Sequence, residues 1–132
     1  MAVAPVVRYM ILCQDWHSHP ENSNRLDITG LLSNIDSVDD PPYPVLLSEL
    51  CCIVALTECR GAGVAWLECV NESTQQREFR SRKYKVELAS DPLAVIIIPF
   101  RIRNCRFRDP GVYSVRFWFN DAQPGDCPLR LR

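Results

Sequence analysis

Apolar and polar residues alternate with a period of two along much of the chain, most cleanly in GVYSVRFWFND, residues 111–121. Successive side chains of a strand point to opposite faces, so Tyr113, Val115, Phe117 and Phe119 form one row and Ser114, Arg116 and Trp118 the other. The first row is predicted to be core. In the same way Leu26, Ile28 and Leu32 alternate with Asp27, Thr29 and Ser33, and Phe100 and Ile102 alternate with Arg101 and Arg103. SELCCIVALTEC and PLAVIIIPF are apolar at successive positions, which predicts either a central strand covered on both faces or one with an interface on its outer face. Pro99 lacks an amide hydrogen for the ladder, so its strand should bend, bulge or lie at a sheet edge. Ten prolines and five glycines cut the chain into short segments, and few stretches hold a helical period. Strands are predicted near 6–14, 25–35, 45–59, 63–71, 77–88, 93–103, 111–120 and 127–132, in one all-β domain spanning residues 1–132.

The segment FRIRNCRFRDPGVY adds a turn signal to this pattern. Pro110 and Gly111 suit a tight turn, and Asp109 can accept amide hydrogens within it. Asp109-x-Gly111-x-Tyr113 resembles the corner of immunoglobulin-like sandwiches, in which the tyrosine hydroxyl bonds back to nearby main chain. The expected architecture is therefore a single immunoglobulin-like antiparallel β-sandwich of about eight strands, with Asp109, Gly111 and Tyr113 as its structural corner. Val115 stands where antibody domains carry a cysteine, so no inter-sheet disulfide is expected. PPYPVLLSELCCIVALTECRGAG, SDPLAVIIIPFRIRNCRF, PGVYSVRFWFND and the closing PLRLR resemble a family of short uncharacterised bacterial β-sandwich proteins of unassigned function. That resemblance implies a small sandwich that makes up a whole protein, and it brings no catalytic residue and no cofactor.

Composition narrows the class further. With 47 % apolar and 23 % charged residues in 132, the chain has the balance of an ordinary globular domain rather than a disordered one. The longest apolar run, Pro92–Phe100, is about half of what a bilayer-spanning helix needs. MAVAPVVRYMILC has no basic leading region, and reads as a first strand rather than a signal peptide. Seven cysteines at positions 13, 51, 52, 59, 69, 105 and 127 include no C-x-x-C pair, and most lie in apolar segments. Reduced, buried thiols in the cytoplasm are the expectation.

The net charge of −1 conceals a division. Residues 1–75 carry three arginines against ten acids, a balance of −7, and residues 76–132 carry twelve basic residues against six acids, a balance of +6. A pI near 6.1 disfavours a general polyanion binder, and with it nucleic acid as the partner.

Both histidines lie in QDWHSHPENSN. Cys13, Asp15, His17 and His19 occupy alternate positions and would share a face if the strand ran through them, giving a conceivable metal set. Pro20 and the following Asn/Ser run predict instead that the strand ends near Asp15 and leaves the histidines on a loop. An enzyme or metal protein using that loop is thus the alternative, not the first choice, and the expectation is no enzyme and no cofactor. Nucleophile-elbow, P-loop and dinucleotide-binding motifs are absent. The acids Asp36, Asp39 and Asp40 lack defined ligand spacing and read as a solvated loop. The basic set is Arg77, Arg80, Arg82, Lys83 and Lys85 in one predicted strand, Arg101, Arg103, Arg106 and Arg108 in another, and Arg116 with Trp118 in a third. Arginine beside an exposed aromatic is typical of interface hot spots and of single-stranded nucleic-acid platforms. The expected function is a non-enzymatic interaction or adaptor module, binding a protein partner or a second copy of itself through Arg101, Arg103, Arg116 and Trp118. Oligonucleotide binding through the arginine-rich strands is the second alternative.

Overall fold

The computed structural model describes residues 5–58, 60–87, 91 and 93–132, with only the backbone of residues 22–24, and Cys59 lies outside these. Over the described residues it is all-β, with ten strands in two sheets. In chain order these are β1 (Val6–His19), β2 (Asn22–Leu31), β3 (Asn34–Ile35), β4 (Val45–Thr57), β5 (Ala62–Asn71), β6 (Arg77–Arg80), β7 (Tyr84–Glu87), β8 (Ile96–Phe107), β9 (Gly111–Phe119) and β10 (Ala122–Leu131). One sheet has the order β2-β1-β4-β8. The other runs β3-β10-β9-β5-β6, with β7 pairing the other end of β5. The count exceeds eight because β3 separates from β2 and because the predicted strand at 77–88 is broken between Arg80 and Tyr84. One pair departs from the antiparallel pattern, the short parallel contact of Arg130–Leu131 with Asn34–Ile35.

The core lies between the sheets and contains the rows read from the alternation. Tyr113, Val115, Phe117 and Phe119 from β9 are all at most 1 % exposed, facing Leu50, Cys52, Val54 and Leu56 of β4 and Phe100 and Ile102 of β8. Each such side chain taken from water contributes roughly 1.5–3 kcal/mol. Four edge-to-face aromatic pairs join one sheet to the other: Phe100–Phe117, Phe107–Tyr113, Phe79–Phe107 and Tyr84–Phe100. Gly63 is required beneath this layer, since any Cβ there would strike the Phe119 ring. β4, apolar at successive positions, is central between β1 and β8, whereas β8 is the sheet edge, where Pro99 is tolerated.

The corner forms at the start of β9. The Tyr113 hydroxyl donates to the Asp109 carbonyl at 2.7 Å, and Gly111 has φ +139°, a conformation strained for any residue with a Cβ. Glu78 braces the same turn, accepting from the Arg108 amide at 2.9 Å and pairing with its guanidinium at 3.3 Å.

Two local expectations are corrected. β1 does not end near Asp15 but continues to His19, because Pro20 and Glu21 form a two-residue turn and β2 supplies the ladder, pairing Trp16 with Ile28, His17 with Asp27 and Ser18 with Leu26. β2 does not bury Leu26 and Ile28 in the main core, whereas Leu32, just past its end, is half-buried against it. Ile28 is 42 % exposed, since the hairpin is an arm at the sheet edge whose partial cover is a separate small cluster of Cys13, Cys51 and Ile53 with Trp16 and Leu26.

Candidate functional site

The four predicted interaction residues divide between two surfaces. Arg101 and Arg103 project from β8 on the outer face of the four-stranded sheet, while Arg116 and Trp118 project from β9 on the outer face of the other. The sandwich core separates them, so they do not form one patch. Alternation placed each side chain outward, but sheet membership decided which outside.

Arg101 is also engaged within the fold. Its guanidinium donates to the Asp15 carboxylate at 2.7 Å and to the Trp16 carbonyl at 2.9 Å, lies 5.1 Å from the centre of the Trp16 ring, and has Glu49 at 3.7 Å. It latches the β1–β2 arm onto β8 through one ion pair and one cation–π contact. Contact with the Cys51 sulfur, then the charges of Asp15 and Glu49, push its pKa up. Arg103 is far more open at 72 % exposure, with Glu49 at 3.7 Å.

The candidate metal residues do not converge. Cys13 is buried, Asp15 faces Arg101, His17 faces Asp27 at 3.7 Å, and the Nδ1 of His19 accepts from the Glu21 amide. Asp15, Glu49 and Cys51 do bring ligand atoms within 4.8 Å of one another, but Arg101 supplies the cation for that group. A divalent ion there would have to displace a bonded guanidinium. Burial, then Cys51 and Asp15, push the Cys13 thiol up to about 11, which keeps it protonated at neutral pH. The other described cysteines are free thiols, buried except for the half-buried Cys127.

The basic residues do meet at the open side of the sandwich, where the edge of β8 approaches the β6–β7 break. A cleft of about 480 Å³ is lined there by Arg80, Ser81, Arg82 and Tyr84 on one wall and by Arg101, Ile102 and Arg103 on the other. Ser81 fixes the break. Its amide donates to the Leu67 carbonyl at 2.9 Å, its hydroxyl accepts from the Leu67 amide at 2.9 Å, and that hydroxyl donates to the Arg82 carbonyl at 2.8 Å. The serine thus satisfies main-chain groups that a continuous strand would have paired, and turns Arg82 and Lys83 outward. Arg80 and Arg82 are exposed and have no carboxylate within 4 Å among the described residues. Tyr84, 40 % exposed, forms part of the floor against Phe100.

Beyond the rim, on the outer face of the larger sheet, Trp66 and Trp118 stack with ring centres 5.3 Å apart and Lys83 lies 5.5 Å from the centre of the Trp66 ring. Register also aligns Arg80, Glu68, Arg116 and Asp126 across β6, β5, β9 and β10 as a row of alternating sign. The predicted basic set contained Arg80 and Arg82, but not their meeting with Arg101 and Arg103. That meeting joins residues about twenty apart through two sheets.

No protein-family model matches the chain, and no curated protein is significantly similar to it.

Proposed function

We propose that this protein is a non-enzymatic interaction module that binds an acidic, extended segment of a protein partner in the arginine-lined cleft. The observation that carries the reading is the convergence of Arg80, Arg82 and Arg103, none buried and two without a carboxylate within 4 Å among the described residues, on a cleft at a sheet edge. Arginine is suited to carboxylate recognition because its planar fork bonds bidentately. An acidic protein segment is favoured over nucleic acid because the positive field is local, in a chain of net charge −1. The acidic half of a second copy is one such partner. Six free thiols among the described residues, five of them buried, support a reducing compartment such as the cytoplasm. The Tyr113 corner supports an immunoglobulin-like sandwich of the kind seen in the short bacterial proteins the sequence resembles.

The test is fluorescence anisotropy with a labelled peptide alternating Glu and Thr, at two salt concentrations. Arg80→Glu combined with Arg82→Glu should weaken binding by about tenfold or more at low salt, with the thermal midpoint of the domain little changed. Unchanged affinity in that double variant overturns the reading. Tighter binding of an oligothymidine probe, with a steep salt dependence, would transfer the cleft to nucleic acid instead.

A further inference from the structure

We infer that the occupant of this cleft binds by strand addition, pairing its main chain with the free edge of β8 over Phe100–Arg103, which rests on the acidic-segment reading just given. β8 is the last strand of its sheet and, among the described residues, pairs with β4 alone, along Leu56 to Val45. Among the described residues no backbone bond crosses from its other edge to β6 or β7, although β6 packs nearby. The outward N–H and C=O groups of β8 are therefore a ready template for another extended chain. Two features bound the template. Pro99 offers no N–H on one side, and Asn104, at φ +57°, bends the strand on the other. Between them Phe100 and Ile102 point into the core and Arg101 and Arg103 outward.

A strand laid beside this stretch shares its pleat, so one row of its side chains lies next to Arg101 and Arg103. Its other row faces the wall that carries Arg82 and Tyr84. Carboxylates at alternate positions form the row on that wall and meet Arg82, unpaired among the described residues, while the main chain supplies the remaining bonds. The break in β6–β7, pinned by Ser81, leaves the space: about 480 Å³, within the range of about 300–1,000 Å³ usual for binding clefts. Charge selects an acidic segment, and the edge selects an extended one.

The two edges of an added strand use alternate amides, which gives the inference its own signature. The full chain is titrated with a six-residue peptide alternating Glu and Thr and with two forms of it, N-methylated at the odd or at the even backbone amides. Strand addition predicts that one methylated form binds as the parent does and the other about tenfold or more weaker, the loss of one or two net hydrogen bonds and close approach. Two methylated forms that bind alike overturn strand addition, while the charge reading stands if both still respond to Arg80→Glu with Arg82→Glu. A parent peptide that does not bind at all removes the charge reading itself.

Discussion

Two clefts of similar size open on this sandwich, and they differ in whether their charges are already spoken for. The first, at the β8 edge, presents four arginines, of which Arg80 and Arg82 have no acidic partner within 4 Å among the described residues. The second, about 560 Å³, lies between β3 and the start of β4 and is lined by Gln14, Asn34, Asp36, Ser48 and Glu49 with several leucines. Its carboxylates are occupied. Asp36 takes the Arg132 guanidinium at 2.8 and 3.2 Å, and Glu49 faces Arg101 and Arg103. A paired carboxylate neutralises its neighbour and braces the chain, whereas an unpaired arginine keeps its charge for an incoming group. What separates the proposed binding cleft from the second one is the state of pairing rather than the count of charges.

That contrast can be broken most sharply by reversing charge on each side. Arg80→Glu with Arg82→Glu should cost the acidic peptide about tenfold or more in affinity, whereas Asp36→Lys should leave peptide binding unchanged. The double variant lowers the charge by four and Asp36→Lys raises it by two, so tighter peptide binding in Asp36→Lys would show that only net charge matters and would erase the distinction. Next in size is the latch that Arg101 makes between β8 and the β1–β2 arm. Arg101→Ala removes the ion pairs with Asp15 and Glu49, a carbonyl bond and the contact with the Trp16 ring together, and should lower unfolding free energy by roughly 1–2 kcal/mol in urea titration. Faster amide exchange is expected in the β1–β2 arm. If the arm keeps its exchange protection, Arg101 is not what holds it down.

Beneath that latch the Cys13 thiol is pushed from its ordinary 9.0 up to about 11, chiefly by burial. The unfolded chain therefore ionises first, so the stability from this group is full below pH 9 and is lost as pH rises from 9 toward 11. The thermal midpoint should fall across that interval, and fall less in Cys13→Ala. An identical fall in both proteins would assign the effect elsewhere. The smallest change expected is that of Asp36→Asn, where an exposed pair is removed. It should cost under about 1 kcal/mol and shrink further in high salt.

Much of the fold was legible because strand alternation is local. The inward row of β9, the outward Arg101 and Arg103 and the Asp109–Tyr113 turn all follow from spacing alone. A further signal in the same stretch marks the bend. The inward residues of β8 run Phe100, Ile102, Cys105 and Phe107, so the step of three across Asn104 is the sequence trace of its left-handed kink. The β1–β2 hairpin was misread because Pro20 stops a strand only if no turn is there to use it. Whether Asp27 and Ile28 come back to meet His17 and Trp16 is settled by pairing, which no single segment encodes.

Local spacing alone settles the all-β class, the inward rows of β8 and β9 and the Asp109–Tyr113 corner, since each depends on neighbours within a few residues. Tertiary structure alone decided that Arg101 and Arg103 lie on a different face from Arg116 and Trp118, that Arg101 is tied to Asp15 and Trp16, and that Arg80 and Arg82 meet Arg103 across a cleft. Those facts depend on which strands become neighbours and which edge is left unpaired. That choice is made by burial of the whole core at once, not by any one stretch of chain.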